Sequence, residues 1–129
     1  MLLTTTEWLA ITSRLLALTS SRRVEWTGEV DEKEFGEESG MIFQTAVAET
    51  NYLLGSVDSD GSFPYYLEVR DKAIFYDRVV SPSSNRTGND DIAALRIALG
   101  DLYKSAYRSF YRAPEKAARL VADLEALSD

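Results

Sequence analysis

The sequence predicts an α+β fold of two layers, in which helices pack on one face of an antiparallel sheet. The chain has 129 residues and a hydrophobic fraction of 45%, which suits a single domain, residues 1–129, with a packed core. Apolar residues recur at helical spacing near both ends of the chain and alternate with polar residues in the middle. The alternating segments are joined by connections too short for crossover helices, so they predict an antiparallel meander.

The first predicted element is a helix that follows Thr4. Thr4 and Glu7 have the spacing of a capping box, in which each side chain binds the backbone N–H of the other residue. One helical face then carries the apolar residues Trp8, Ile11, Leu15 and Leu18, and the polar run 19–21 ends the pattern. Trp26 is expected to pack its ring against this helix.

Residues 41–80 predict about four strands, at 41–48, 52–57, 64–70 and 73–80. Gly55 within the second strand indicates a bulge or a close approach of another group to the backbone. Residues 58–62 (Asp-Ser-Asp-Gly-Ser) have the composition of a turn. Two flanking segments are predicted as loops: an acidic, weakly ordered one at 27–40 and a flexible one at 81–89.

Two helices are predicted after the sheet, both on the same face of it. The first begins at Asn89 or Asp90 and carries an apolar stripe at Ile92, Leu95, Leu99, Leu102, Ala106 and Phe110. Gly100 lies inside that helix, where it costs about 1 kcal/mol relative to Ala. Pro114 starts the second helix, whose apolar positions are Ala117, Leu120, Val121, Leu124 and Leu127.

The composition argues against an enzyme. The chain contains no histidine and no cysteine, which removes the commonest acid/base group, the thiolate nucleophile and the usual zinc ligands. Residues 58–61 resemble the start of a calcium loop, but Val69 stands where that loop needs Glu. We therefore predict no catalytic residue, no metal site and no cofactor.

The net charge of −7 and the pI near 4.6 disfavour nucleic acid as a partner, because an acidic molecule repels phosphate. The N-terminal residues lack a basic region followed by an apolar run, and no stretch approaches the length of a membrane span. The sequence predicts a cytoplasmic protein that contacts no membrane.

Two segments of opposite charge are the candidate binding sites. The acidic strip comprises Glu29, Asp31, Glu32, Glu34, Glu37 and Glu38. It could dock a partner with a basic surface, or it could be a solvated loop that aids solubility. The second segment alternates basic and aromatic residues: Tyr103, Lys104, Tyr107, Arg108, Tyr111 and Arg112.

The four-residue spacing of that second segment predicts one row of basic groups beside one row of tyrosines along a helix. Such rows could anchor a protein partner, stack on nucleic acid, or cover the core while the arginines reach solvent. The acidic strip and the basic row could also pair with each other. Pairing within one molecule would hide both, and pairing between two molecules would form a homodimer.

These observations favour a small, acidic, non-catalytic protein-binding module such as an adaptor, an inhibitor or an immunity-type protein. Nucleic-acid binding through residues 103–112 is the first alternative. The second is a small ligand held between the sheet and the helices, in a pocket lined by Tyr52, Tyr65, Tyr66, Tyr76 and Arg78.

Overall fold

The computed structural model describes residues 1–30, 40–72, 74–82 and 90–128. It confirms the predicted α+β class, with an N-terminal helix, a five-stranded antiparallel sheet and two C-terminal helices. The elements in chain order are α1 (Thr5–Ser20), β1 (Thr27–Val30), β2 (Met41–Val47), β3 (Thr50–Ser56), β4 (Tyr65–Asp71), β5 (Tyr76–Val80), α2 (Asp90–Phe110) and α3 (Ala113–Leu127).

The sheet is a simple meander in which the strands lie in the order β1-β2-β3-β4-β5, each antiparallel to its neighbour. It has five strands where about four were predicted. The additional strand, β1, covers residues 27–30, which the prediction placed in an acidic loop. Its backbone pairs with β2 from Thr27 opposite Gln44 to Val30 opposite Met41. The other residues of that predicted loop, 31–39, and residues 83–89 of the second loop lie outside the described residues.

The two faces of the sheet have different surroundings because consecutive side chains of a strand point to opposite faces. One face is covered by α1 and α2 and forms the core. Its central residues, Phe43, Leu54 and Leu67, lie side by side on adjacent strands and are fully buried. The opposite face has no helix on it among the described residues, and it carries the polar and aromatic side chains of β4 and β5.

The start of α1 is fixed in two ways, by its own capping box and by Asp77 on the sheet. The predicted capping box is confirmed, since Thr4 accepts the N–H of Glu7 and the Glu7 carboxylate accepts the N–H of Thr4. The Asp77 carboxylate on β5 is buried and accepts the N–H groups of Leu2 and Leu3 at 2.9 and 2.8 Å. It also accepts the indole Nε1 of Trp8 at 3.2 Å.

Trp26 closes the other end of α1, as the sequence predicted. Its indole Nε1 donates to the Thr19 hydroxyl at 2.9 Å, and the Thr19 hydroxyl in turn donates to the carbonyl of Leu15 at 2.7 Å. Both Trp26 and Thr19 are buried. These two consecutive hydrogen bonds therefore satisfy the indole and hydroxyl groups that packing removes from water.

The two C-terminal helices differ in what they bury. The predicted stripe of α2 is confirmed, with Leu95, Leu99, Leu102 and Ala106 buried against the core. The separate helix α3 starts with Pro114 in its first turn, as predicted, but none of its residues is buried.

Candidate functional site

The second half of α2 and the turn that follows it place the predicted tyrosines in two different environments. Tyr103 is buried, because it lies next to the apolar stripe and points toward β2 and β4. Its hydroxyl donates to the carbonyl of Met41 and accepts the N–H of the same residue, both at 3.2 Å. Its ring stacks on that of Tyr65, with 4.7 Å between the ring centres. Tyr103 is therefore part of the core and is almost inaccessible to solvent.

Burial also determines the acidity of these two phenols. Removal from water raises the pKa of Tyr103, although the hydrogen bond from the N–H of Met41 partly opposes the rise. Burial raises the pKa of Tyr65 as well, and the nearby Asp60 carboxylate adds to the effect. Both phenols stay protonated at neutral pH, and the Tyr103 hydroxyl acts as a hydrogen-bonding group of the core.

Tyr107 and Tyr111 are presented to solvent by the aromatic cluster beneath them. They are 44% and 43% exposed, and their ring centres lie 5.0 Å apart. The ring of Tyr107 packs edge-on against Phe43 at 5.9 Å, and that of Tyr111 packs edge-on against Phe110 at 5.0 Å. Each ring thus has one side held by the core and the other side open to a partner.

Lys104 and Arg108 lie one turn apart beside these rings, and both are exposed. Within the described part of the chain neither of them forms an ion pair. We call Lys104, Tyr107, Arg108 and Tyr111 the tyrosine–arginine surface. It combines two half-exposed tyrosine rings and one arginine, which are residue types enriched in binding hot spots, with the ammonium group of Lys104.

Arg112 does not extend this row, which corrects the prediction of a continuous helical row of basic residues. Helix α2 ends at Phe110, and Arg112 adopts a left-handed conformation with φ 54° immediately before α3. Its side chain is exposed, but the turn takes it out of register with Lys104 and Arg108. The four-residue spacing in the sequence could not reveal this break.

The tyrosine–arginine surface borders a cleft of about 700 Å³, whose lining also includes Gly40, Asp60 and Gly61. Gly40 and Gly61 approach so closely that a Cβ placed on Gly40 would lie only 2.4 Å from the backbone nitrogen of Gly61. Only glycine fits at position 40 without a shift of the backbone. This contact fixes the wall of the cleft opposite α2.

One member of the acidic strip, Glu29, is described, and it is exposed on the edge strand β1. Asp31, Glu32, Glu34, Glu37 and Glu38 lie outside the described residues. Gly40, which follows the strip in the chain, lines the same cleft as Lys104 and Arg108.

The predicted ligand pocket is wrong, because its five residues lie on both faces of the sheet. Tyr52 and Tyr65 lie on the face that the helices cover, whereas Tyr66, Tyr76 and Arg78 lie on the open face. Tyr65 and Tyr66 are neighbours in one strand, so their side chains point in opposite directions.

The open face instead holds a cluster around Glu68, a residue that was not among the predicted site residues. Glu68 is 8% exposed and lies 3.3 Å from Arg70 and 3.8 Å from Arg78, and it accepts the Tyr76 hydroxyl at 3.2 Å. The guanidinium of Arg78 lies 4.3 Å from the centre of the Tyr66 ring. The alternation within β4 and β5 indicates which of these residues share a face, but their contacts depend on the register between the two strands.

Gly55 lies beneath the Tyr66 ring of this cluster. A Cβ on Gly55 would lie 2.7 Å from the Tyr66 hydroxyl oxygen, so the absence of a side chain lets the Tyr66 ring lie over the strand. The close approach that the sequence predicted at Gly55 is thereby explained. The single carboxylate of Glu68 thus contacts both guanidinium groups of the cluster, which is typical of cross-strand pairs that stabilise a solvent-facing sheet.

Among the described residues, no group of three or more acidic side chains is placed to hold a metal ion. No helix in the described part of the chain combines the length and the apolarity needed to cross a bilayer. Comparison with protein-family models, with curated proteins and with solved structures found no match to this chain.

Proposed function

We propose that this protein is a non-catalytic protein-binding module that uses the tyrosine–arginine surface as its main contact. The observation that carries the proposal is the pair of half-exposed rings, Tyr107 and Tyr111, held in place by the buried Phe43 and the partly buried Phe110. A rigid ring loses little conformational entropy on binding, which makes it an effective anchor. The absence of histidine and cysteine supports a role without catalysis.

The net charge of −7 and the acidic strip in the sequence support a partner with a basic surface. Gly40, two residues after the last member of the strip in the chain, lines the cleft that borders the anchors. A basic partner would be attracted to the strip at long range and then held by the two tyrosines at short range. Lys104 and Arg108 would lie at the border of the contact, where they can bind carboxylates or carbonyl groups of the partner.

The experiment is affinity capture from a lysate of the native cell with three forms of the tagged protein. The first is the wild type, and the second carries Tyr107→Ser and Tyr111→Ser. The third carries Tyr76→Ser, which removes a tyrosine that is 48% exposed on the opposite face of the sheet. Washes at low and moderate salt precede identification of both protein and nucleic acid.

The proposal requires one stoichiometric protein that the wild type and the Tyr76→Ser form retain and the double variant loses. Capture of nucleic acid that moderate salt releases would instead favour the nucleic-acid alternative. A protein retained equally by all three forms would show that the tyrosines are not the contact.

A further inference from the structure

Helix α3 has an exposed apolar side, and the helix is stable only if something covers that side. It has 15 residues and buries none of them. Its large apolar side chains Leu120, Val121, Leu124 and Leu127 are 55%, 52%, 66% and 85% exposed. Helices of this length are marginal in water, and helices in proteins gain most of their stability from a packed apolar face. An ion pair of 2.7 Å between Arg22 and Glu115 fixes the start of α3 but leaves this face free.

The spacing of that face is the spacing of a coiled coil. Steps of four, three, four and three residues separate Ala113, Ala117, Leu120, Leu124 and Leu127. This is the a/d pattern of a heptad repeat, in which two helices pack along a narrow seam. Lys116 and Asp123 occupy successive g positions beside the seam, seven residues apart.

We propose that α3 pairs with α3 of a second copy of this chain, in antiparallel orientation. In a parallel pair each g position faces an e position, so Lys116 and Asp123 would face the uncharged Val121 and Ser128. In an antiparallel pair g faces g. Lys116 of each copy then faces Asp123 of the other, which gives two ion pairs related by the two-fold axis.

The same antiparallel alignment matches the sizes of the side chains along the seam. It places Leu120 opposite Ala117 of the second copy and Leu124 opposite Ala113. A large residue against a small one lets the two helices approach closely. Leu127 then extends past the seam toward the turn between α2 and α3 of the second copy. This contact uses a face that the tyrosine–arginine surface does not include, so it goes beyond the proposed function.

A helix pair of this length buries less than the roughly 1,200 Å² of a typical specific interface, so we expect a weak dimer. A dissociation constant of about 10–100 µM is expected, which sedimentation equilibrium at about 5–500 µM protein would measure. Purified protein without any partner is sufficient for this test. A wild type that remains monomeric over the whole range would overturn the proposal.

Two substitutions on opposite sides of α3 test which face is used. Leu124→Glu introduces a charge into the seam and is expected to weaken association at least tenfold. Ala122→Glu introduces the same charge at an f position on the opposite side of the helix and is the matched control. Equal weakening by both variants would contradict pairing along this seam.

Charge exchange tests the orientation and guards against misfolded variants. Lys116→Glu alone and Asp123→Lys alone each place like charges opposite each other twice, so each variant should associate about fivefold or more weakly than wild type. An equimolar mixture of the two variants restores both opposite-charge pairs and should recover association. Failure of the mixture to associate more strongly than its components would rule out the antiparallel alignment.

Discussion

The hydroxyl of Tyr103 bridges the backbone N–H and carbonyl of Met41, at 3.2 Å to each atom. This contact joins α2 to the first residue of β2 and explains why one of three equally spaced tyrosines is structural. Tyr107 and Tyr111, one and two turns further along the chain, make weaker contacts with β2 and are half exposed. The ring of Tyr107 packs edge-on against Phe43, and the Tyr111 hydroxyl lies 4.0 Å from the sulfur of Met41. The distinction gives the first prediction.

Tyr103→Phe should lower the free energy of unfolding by about 1–3 kcal/mol, because it removes a hydroxyl that satisfies two buried backbone groups. Tyr107→Phe removes a hydroxyl from an exposed ring and should change stability by less than about 0.5 kcal/mol. Urea unfolding, followed by the fluorescence of the buried Trp8 and Trp26, measures both values. Equal effects of the two substitutions would show that the Tyr103 hydroxyl does not tie α2 to β2.

Asp77 predicts a pH dependence of stability. Burial of its carboxyl group acts to raise the pKa, but hydrogen bonds from the N–H groups of Leu3, Leu2 and Arg78 outweigh burial, and the pKa is lowered. A carboxyl whose pKa is lower in the folded state stabilises the fold above its unfolded pKa of about 3.9. That stabilisation is lost as the pH falls through the lower, folded pKa.

Asp77→Asn should therefore cost about 1–3 kcal/mol at pH 7, and the difference from wild type should shrink when the pH is well below about 4. Urea unfolding at several pH values measures the difference. Asp101→Asn changes an exposed carboxylate on α2 and serves as the control. If the free energies of unfolding of Asp77→Asn and wild type differ by the same amount at every pH, the charge of the Asp77 carboxylate does not stabilise the fold.

Gly100→Ala should stabilise the protein by up to about 1 kcal/mol, which corresponds to a Tm increase of about 3–5 °C. Position 100 lies inside α2, and a Cβ there would meet the Tyr65 ring at 3.7 Å, an ordinary contact distance. Gly55→Ala should have the opposite effect, since its Cβ would displace the Tyr66 ring. Calorimetry measures the Tm of both variants. A destabilised Gly100→Ala variant would mean that α2 packs more tightly against the Tyr65 ring than this distance implies.

The acidic strip predicts the rate at which a basic partner associates. Reversal of Glu32, Glu34, Glu37 and Glu38 to Lys should slow association, and the difference from wild type should shrink as salt is added, because salt screens long-range attraction. Stopped-flow mixing with the captured partner at several salt concentrations measures the rates. Association rates that do not change would mean that the strip is a solvated loop.

The fold was predictable because its signals are local. Apolar periodicity, the Thr4–Glu7 capping box and Pro114 each lie within a few residues of the element they define. Strand β1 was missed because its existence depends on pairing with β2, from Thr27 opposite Gln44 onward. That pairing depends on residues far apart in the chain, which local composition does not record.

The candidate site was predictable in composition but not in geometry. The spacing of four residues correctly placed Tyr107 and Arg108 on one helix, but burial by β2 removed Tyr103 and the end of α2 removed Arg112. The cluster around Glu68 required the register between β4 and β5, in which Glu68 lies opposite Arg78. Register depends on which residues of two strands meet, and one sequence leaves several choices open.

Site-specific photocrosslinking tests the central claim most directly. Tyr107 is replaced by the photoreactive residue p-benzoylphenylalanine, and the same residue at the position of Tyr76 is the control. Irradiation in the native cell should join the variant at 107 to one protein that is different from this chain, and the variant at 76 should not give this product. Crosslinking of both positions to the same protein would contradict a protein-binding role for the tyrosine–arginine surface. Crosslinking of position 107 to nucleic acid alone, or to a second copy of this chain alone, would also contradict it.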